Sequence, residues 1–248
     1  MSLELWQWAL LVAGGITVGI SKTGLPGLGI LFVALFSFAL PARQATGVVL
    51  PLLILGDAVA VTIYREHTQW RHLWRLFPWA AAGVMAGWLA LGQIDDRQTA
   101  RLIGATFVLL LGVHCWRKAR RAEIEEAVAH APPWVAGGAG LMAGFTTLVA
   151  NAAGPVMTLF LLAMRMPKLG FLGTNAVFFL LLNWFKVPFM LQLGLINPES
   201  LWLNLRLAPA VLAGCVLGRL AVARLNQQAF EFVALALTVA AAVKLLLF

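Results

Sequence analysis

The sequence predicts an all-α polytopic membrane protein. About eight apolar segments form two inverted repeats, each a broken, re-entrant helix pair plus three full transmembrane helices. Three observations predict this. Hydrophobic residues make up 61% of the 248 and charged residues 11%, and mean hydropathy is +0.88, which excludes both a soluble enzyme with a tail and a disordered chain. Two apolar regions are too long for one span and are interrupted near their middles. Glycine, proline and polar positions of the first half return in order in the second.

The elements follow from the roughly 20 apolar residues needed to cross a bilayer core. Ordinary spans fall near 44–64, 73–91 and 102–116 in the first half and near 169–193, 201–222 and 230–247 in the second. Trp70, Trp74, Trp116, Trp134 and Trp202 sit at segment ends, where an amphipathic ring suits the headgroup level. Regions 5–40 and 134–164 are broken by GISKTGLPGLG (19–29) and TTLVANAAGP (146–155). Irregular backbone at membrane depth persists only where protein or a water-filled cavity covers it. The start carries Glu4 and no basic stretch, so it is not expected to be a cleaved signal peptide.

VAGG at 12–15 recurs at 135–138. Pro41, Gly47 and Asp57 correspond to Pro167, Gly173 and Asn183, each 126 residues on, and Pro78, Gly83 and Gly87 to Pro209, Gly214 and Gly218, each 131 on. This divides the chain into a first repeat (1–122), a mixed-charge cytoplasmic connector (123–132) and a second repeat (133–248). The net charge of +8 is not a nucleic-acid signature, because the basic residues sit in connectors. If both broken regions enter and return, Arg65, Arg71, Arg75, Arg117, Lys118, Arg120, Arg121, Arg165, Lys168, Arg219 and Arg224 share one side, 11 against Arg43, Arg97 and Arg101. If each crosses once, four of the 11 change sides and the balance is 7 to 7. The positive-inside rule selects the hairpins, and three further spans per half then turn the second copy upside down.

The breaks carry the candidate chemistry. Gly24, Leu25 and Pro26, and Gly154 with Pro155, signal helix restarts, whose free N–H groups and aligned dipoles favour anions. The predicted substrate-binding residues are Ser21, Lys22, Thr23, Gly24, Pro26 and Gly27 in the first break and Thr147, Asn151, Gly154 and Pro155 in the second, with Thr146 a further donor. Lys22 either meets the anion or snorkels and caps the preceding half-helix; the glycines either shape the site or permit close packing. Asp57, Asn175, Asn183 and Lys186 form a coupling or structural set. Asp57 is a proton carrier, a partner of Lys22 or Lys186, or a cap on broken backbone, and Asn175, Asn183 and Lys186 share an inward helix face. Arg206 is expected to snorkel. His67, His72, His114 and His130 show no metal spacing, Cys115 and Cys215 no disulfide pattern, and HExxH and GxSxG are absent. No catalytic residue, metal or cofactor is predicted.

GISKTGLPGLG, the Pro41 to Asp57 stretch, Trp70 followed by Pro78 and GVMAG, and NAAGP together resemble the sulfite exporter TauE/SafE family, over nearly the full length. The resemblance implies a bacterial inner-membrane carrier that exports a small sulfur-containing anion, sulfite or an organosulfonate, with contacts at the two breaks. Its partners would be that anion and the lipid bilayer, with no nucleic acid; a homo-oligomer stays open. An anion channel could use the same helix ends. A membrane-embedded enzyme would need a nucleophile beside a base, for which only Ser21 near Lys22 offers a hint. A structural subunit would have no use for two matched polar breaks.

Overall fold

The computed structural model describes residues 3–25, 28–93, 95, 98, 133–164, 166–230 and 232. The predicted spans at 102–116 and, beyond its first residues, 230–247 lie outside these, as do the 123–132 connector, Pro26, Gly27, Arg165, Cys115, His114 and His130. The elements in order are α1 (Leu5–Thr23), α2 (Gly29–Ala39), α3 (Ala42–Tyr64), a 3-10 turn (Arg65–His67), α4 (Trp70–Gly92), α5 (Pro133–Ala150), α6 (Gly154–Ala163), α7 (Lys168–Gln192) and α8 (Pro198–Ala223). Among the described residues, Arg43–His67, Lys168–Gln192 and Pro198–Ala223 are long and apolar enough to cross a membrane. The predicted span at 73–91 is also one helix, α4, but Arg71, His72 and Arg75 in its first turns dilute its apolar character.

Local signals set the boundaries. Glu4 caps α1 in a reciprocal box with Gln7, and Asn197 caps α8 by accepting from Ser200 N at 2.9 Å, with Pro198 at the first helical position. Prolines at matched positions, Pro41 and Pro167, cap α3 and α7. Both breaks are tighter than the sequence suggests. Lys22 and Thr23 stay helical because Gly24 N and Leu25 N both donate to Ile20 O, at 2.9 and 3.0 Å. The chain resumes at Gly29, five residues beyond the expected restart at Gly24. The second break spans only 151–153; Asn151 takes φ +50°, a left-handed turn that asparagine tolerates, and α6 opens on Gly154 and Pro155 as expected.

Packing crosses between the halves. The most extensive contacts join α4 to α5 and α1 to α8, followed by α3 to α7. Where lipid removes the hydrophobic drive, small residues let backbones approach. A Cβ on Gly83 of α4 would strike Leu141 O, and one on Gly144 of α5 would strike Ala80 O. The same holds for Gly214 of α8 against Ile16 O and Gly19 of α1 against Val211 O. Gly47 presses on Leu195 after α7, and its matched position Gly173 presses on Tyr64 and the turn after α3. One core surrounds α4, α5 and α7 (Leu76, Val84, Leu148, Phe178); the other surrounds α1, α2, α3 and α8 (Leu11, Val18, Phe36, Leu207). Leu205, Val216 and Leu220 of α8 are exposed, as suits a face against lipid. Arg206 does more than snorkel: its guanidinium lies 5.9 Å from the Trp8 ring and 5.3 Å from Trp202, tying α1 to α8. Lys168 donates to Val222 O and Leu225 O, capping the end of α8.

Candidate functional site

The two breaks face each other across one cavity. From the first half it is lined by Ser21 and Lys22 at the end of α1, Gly29 and Phe32 at the start of α2, and Leu53 of α3. From the second half it is lined by Thr147 and Asn151 at the end of α5, Gly154 and Thr158 of α6, and Asn175, Phe179 and Asn183 of α7. Helix N-termini from both halves, Gly29 and Gly154, therefore open onto the same space.

A continuous polar chain runs behind it. Lys22 Nζ lies 2.8 Å from Asp57 Oδ1, with the Lys22 side chain 8% exposed and Asp57 fully buried. Asn183 Nδ2 donates to Asp57 Oδ2 at 2.6 Å. Lys186 Nζ donates to Asn183 Oδ1 at 3.0 Å, Asn151 Oδ1 at 2.7 Å, Thr147 O at 3.0 Å and Thr147 Oγ1 at 3.1 Å. Asn151 Nδ2 donates onward to Thr46 O at 2.9 Å. The two ammonium groups have different surroundings. Lys186 is fully buried with four oxygens for three protons, at the C-terminal end of α5, where a cation suits the unpaired carbonyls and the dipole. Lys22 has one ion-pair partner, and its ammonium lies 4.3 Å from the centre of the Phe179 ring at the cavity wall. Two lysines against one carboxylate leave the cluster formally one positive charge in excess.

Ser21, Lys22, Thr147, Asn151, Gly154, Asn175 and Asn183 thus line one cavity, with Asp57 and Lys186 bonded directly to members of that set. Thr23 and Gly24 turn elsewhere. Thr23 Oγ1 donates to Cys215 O at 2.7 Å, Thr23 O accepts from Tyr64 OH at 2.8 Å, and Gly24 packs against Gly218. They are buried in the α1–α8 and α1–α3 contacts because the helix continues past Lys22 and rotates them away from the cavity wall. The side chain of Pro155 is not described. Sequence reasoning missed Phe179, Phe32, Leu53 and Thr158. Phe179 had a signal: it stands four residues from both Asn175 and Asn183, on the face those residues mark as inward. Among the described residues no three His, Cys, Asp or Glu groups could hold a metal ion together.

Among the described residues the chain is all-helical, with membrane-length helices and a cationic, hydrogen-bonded centre between two broken helices, which defines an integral membrane protein. A family model for the sulfite exporter TauE/SafE family matches residues 11–245, and the chain belongs to that family, one of membrane transporters. No curated protein and no solved structure matches it.

Proposed function

We propose that this protein is a secondary carrier of the bacterial inner membrane that exports a small sulfur-containing anion, sulfite or an organosulfonate, through a midplane site where two half-helix N-termini meet. The observation that carries this reading is the shared cavity, opened by both breaks and backed by two ammonium groups to one carboxylate. An anion is the ligand whose charge completes that balance, and the N-terminal ends of α2 and α6, with the positive ends of their dipoles, are suited to oxyanion acceptors. The family supports sulfite or a related anion as the substrate class.

The reciprocal contacts of α1 with α8 and α4 with α5, and of Gly47 and Gly173 with the turns after the opposite long helices, support two inverted repeats. Cysteines placed at Arg165 and Asn197 should label from opposite membrane faces; labelling from one face would overturn that topology. The functional test is flux into proteoliposomes of the purified protein with sulfite, sulfate, sulfoacetate and acetate. Saturable sulfite uptake with counterflow supports the carrier, single-channel currents would replace it with a pore, and the absence of anion flux would refute the reading.

A further inference from the structure

We propose that the transported anion and Asp57 compete for the Lys22 ammonium, so that each anion bound places a proton on Asp57 and the two cross the membrane together. This rests on the anion-carrier reading above and adds its coupling ion.

The argument is geometric. Of the two lysines only Lys22 lines the cavity, and its ammonium is held by Asp57 Oδ1 at 2.8 Å. Because Lys22 is part of the cavity lining, an anion in the cavity meets the same ammonium that Asp57 holds. Once Lys22 turns to the anion, Asp57 keeps a single neutral donor, Asn183 Nδ2 at 2.6 Å. Lys186 gives no replacement, because its three protons already serve four other oxygens. A fully buried carboxylate with no counter-charge is strongly unfavourable.

A proton from bulk solvent, relayed through cavity water, removes that charge. The Lys22–Asp57 ion pair opens, a Lys22 N–H donates to the anion, and an O–H bond forms at Asp57 Oδ1 as an O–H bond of a hydronium ion breaks; nothing is oxidised or reduced. The formal charge for a monoanion is +1 before and +1 after. Among the described residues the carboxylates on elements packed against α3 are Glu66 of the 3-10 turn and Glu199 of α8, and both are exposed. The groups near Asp57 are Lys22 of α1, Asn183 and Lys186 of α7, and the Cys215 thiol of α8, which feels the fields of both Asp57 and Lys22; α2 and α5 carry no titratable side chain.

The test is uptake of radiolabelled sulfite by phosphatidylethanolamine–phosphatidylglycerol vesicles containing the full-length protein. Membrane potential is clamped at zero and the outside made one pH unit more acidic. Wild type should accumulate about tenfold more sulfite than without the gradient, beyond what protein-free controls attribute to sulfite's own titration, because one proton accompanies each anion. In Asp57→Asn this driven accumulation should fall at least tenfold more than sulfite–sulfite exchange at equal pH. Wild-type sulfite flux indifferent to the gradient, or Asp57→Asn retaining the full response, would overturn the coupling while leaving the carrier intact. A wild type that moves no sulfite would refute the carrier itself. Should Asp57→Asn fail to fold, detergent-solubilised wild type in weak buffer decides. One proton taken up per sulfite bound, above the protein-free blank, supports the proposal, and none overturns it.

Discussion

Replacing Lys22 with methionine keeps most of the side-chain volume beside Phe179 and removes the charge, so it isolates what the ammonium does. Asp57 would then be fully buried with only the Asn183 amide against it. Deleting one member of a buried ion pair costs about 3–5 kcal/mol, most of it from the orphaned charge. At the size of this chain that lowers the melting temperature by on the order of 10 °C. Asp57→Asn alone should cost a similar amount by orphaning Lys22. The double variant Lys22→Met/Asp57→Asn removes both charges and should recover most of the loss, giving a coupling of roughly 3 kcal/mol in a double-mutant cycle. Sulfite flux should follow a different pattern, lost in Lys22→Met and still lost in the double variant, because the cavity-lining cation is absent from both. Thermal unfolding in detergent and proteoliposome flux measure the two patterns separately. A Lys22→Met protein destabilised by under about 1 kcal/mol, or a double variant with wild-type flux, would refute the reasoning.

Three further outcomes follow from the geometry. Gly144→Ala would drive its methyl into Ala80 O, whereas Gly138→Ala meets nothing within 4 Å. The first should lose about 1–3 kcal/mol of stability and the second almost none, by thermal unfolding. An added methyl at Gly154 also meets no atom within 4 Å, so Gly154→Ala should fold normally; at the cavity wall it should raise the KM for sulfite severalfold, read by initial-rate flux. Tyr64→Phe removes the bond from the Tyr64 hydroxyl to Thr23 O and should cost about 1 kcal/mol, with the melting temperature as readout.

Much of this architecture was legible because its signals are compositional. Apolar length marks membrane helices, and a Gly-Pro interruption marks where backbone must find partners other than lipid. The correspondence of Asp57 with Asn183 was visible as a spacing, and in the structure the two side chains meet at 2.6 Å. What stayed hidden depends on helical phase. Whether Thr23 faces the cavity or α8 turns on α1 continuing through Lys22, and that is settled by Gly24 N and Leu25 N reaching back to Ile20 O. No residue type announces such a bond. Phe32 and Leu53 were hidden for a related reason: an apolar side chain on an apolar helix looks the same whether it faces lipid, core or cavity. The role of Lys186 was open in the sequence because its four acceptors come from Thr147, Asn151 and Asn183, the first two more than 30 residues away along the chain.

The two halves contribute unequally to the charge of the site, and this difference is itself testable. Asn183 stands where the first half has Asp57, and its amide does two things at once: Nδ2 donates to Asp57 and Oδ1 accepts from Lys186. A carboxylate there could still accept from Lys186 but would set two negative oxygens at a distance now spanned by a hydrogen bond. It would also bring the formal sum of the cluster from +1 to zero. With the added charge taken at roughly 6 Å from a bound anion and an effective dielectric of about 20, the loss to anion binding is about 3 kcal/mol, on the order of a hundredfold. Asn183→Asp should therefore raise the KM for sulfite by one to two orders of magnitude. Asn183→Leu is the control, since it breaks the same two bonds without adding charge; its effect on KM should be smaller even where its effect on stability is larger. Equal KM values for the two variants would show that the site senses the hydrogen bonds and not the net charge, and the anion reading would lose its electrostatic basis.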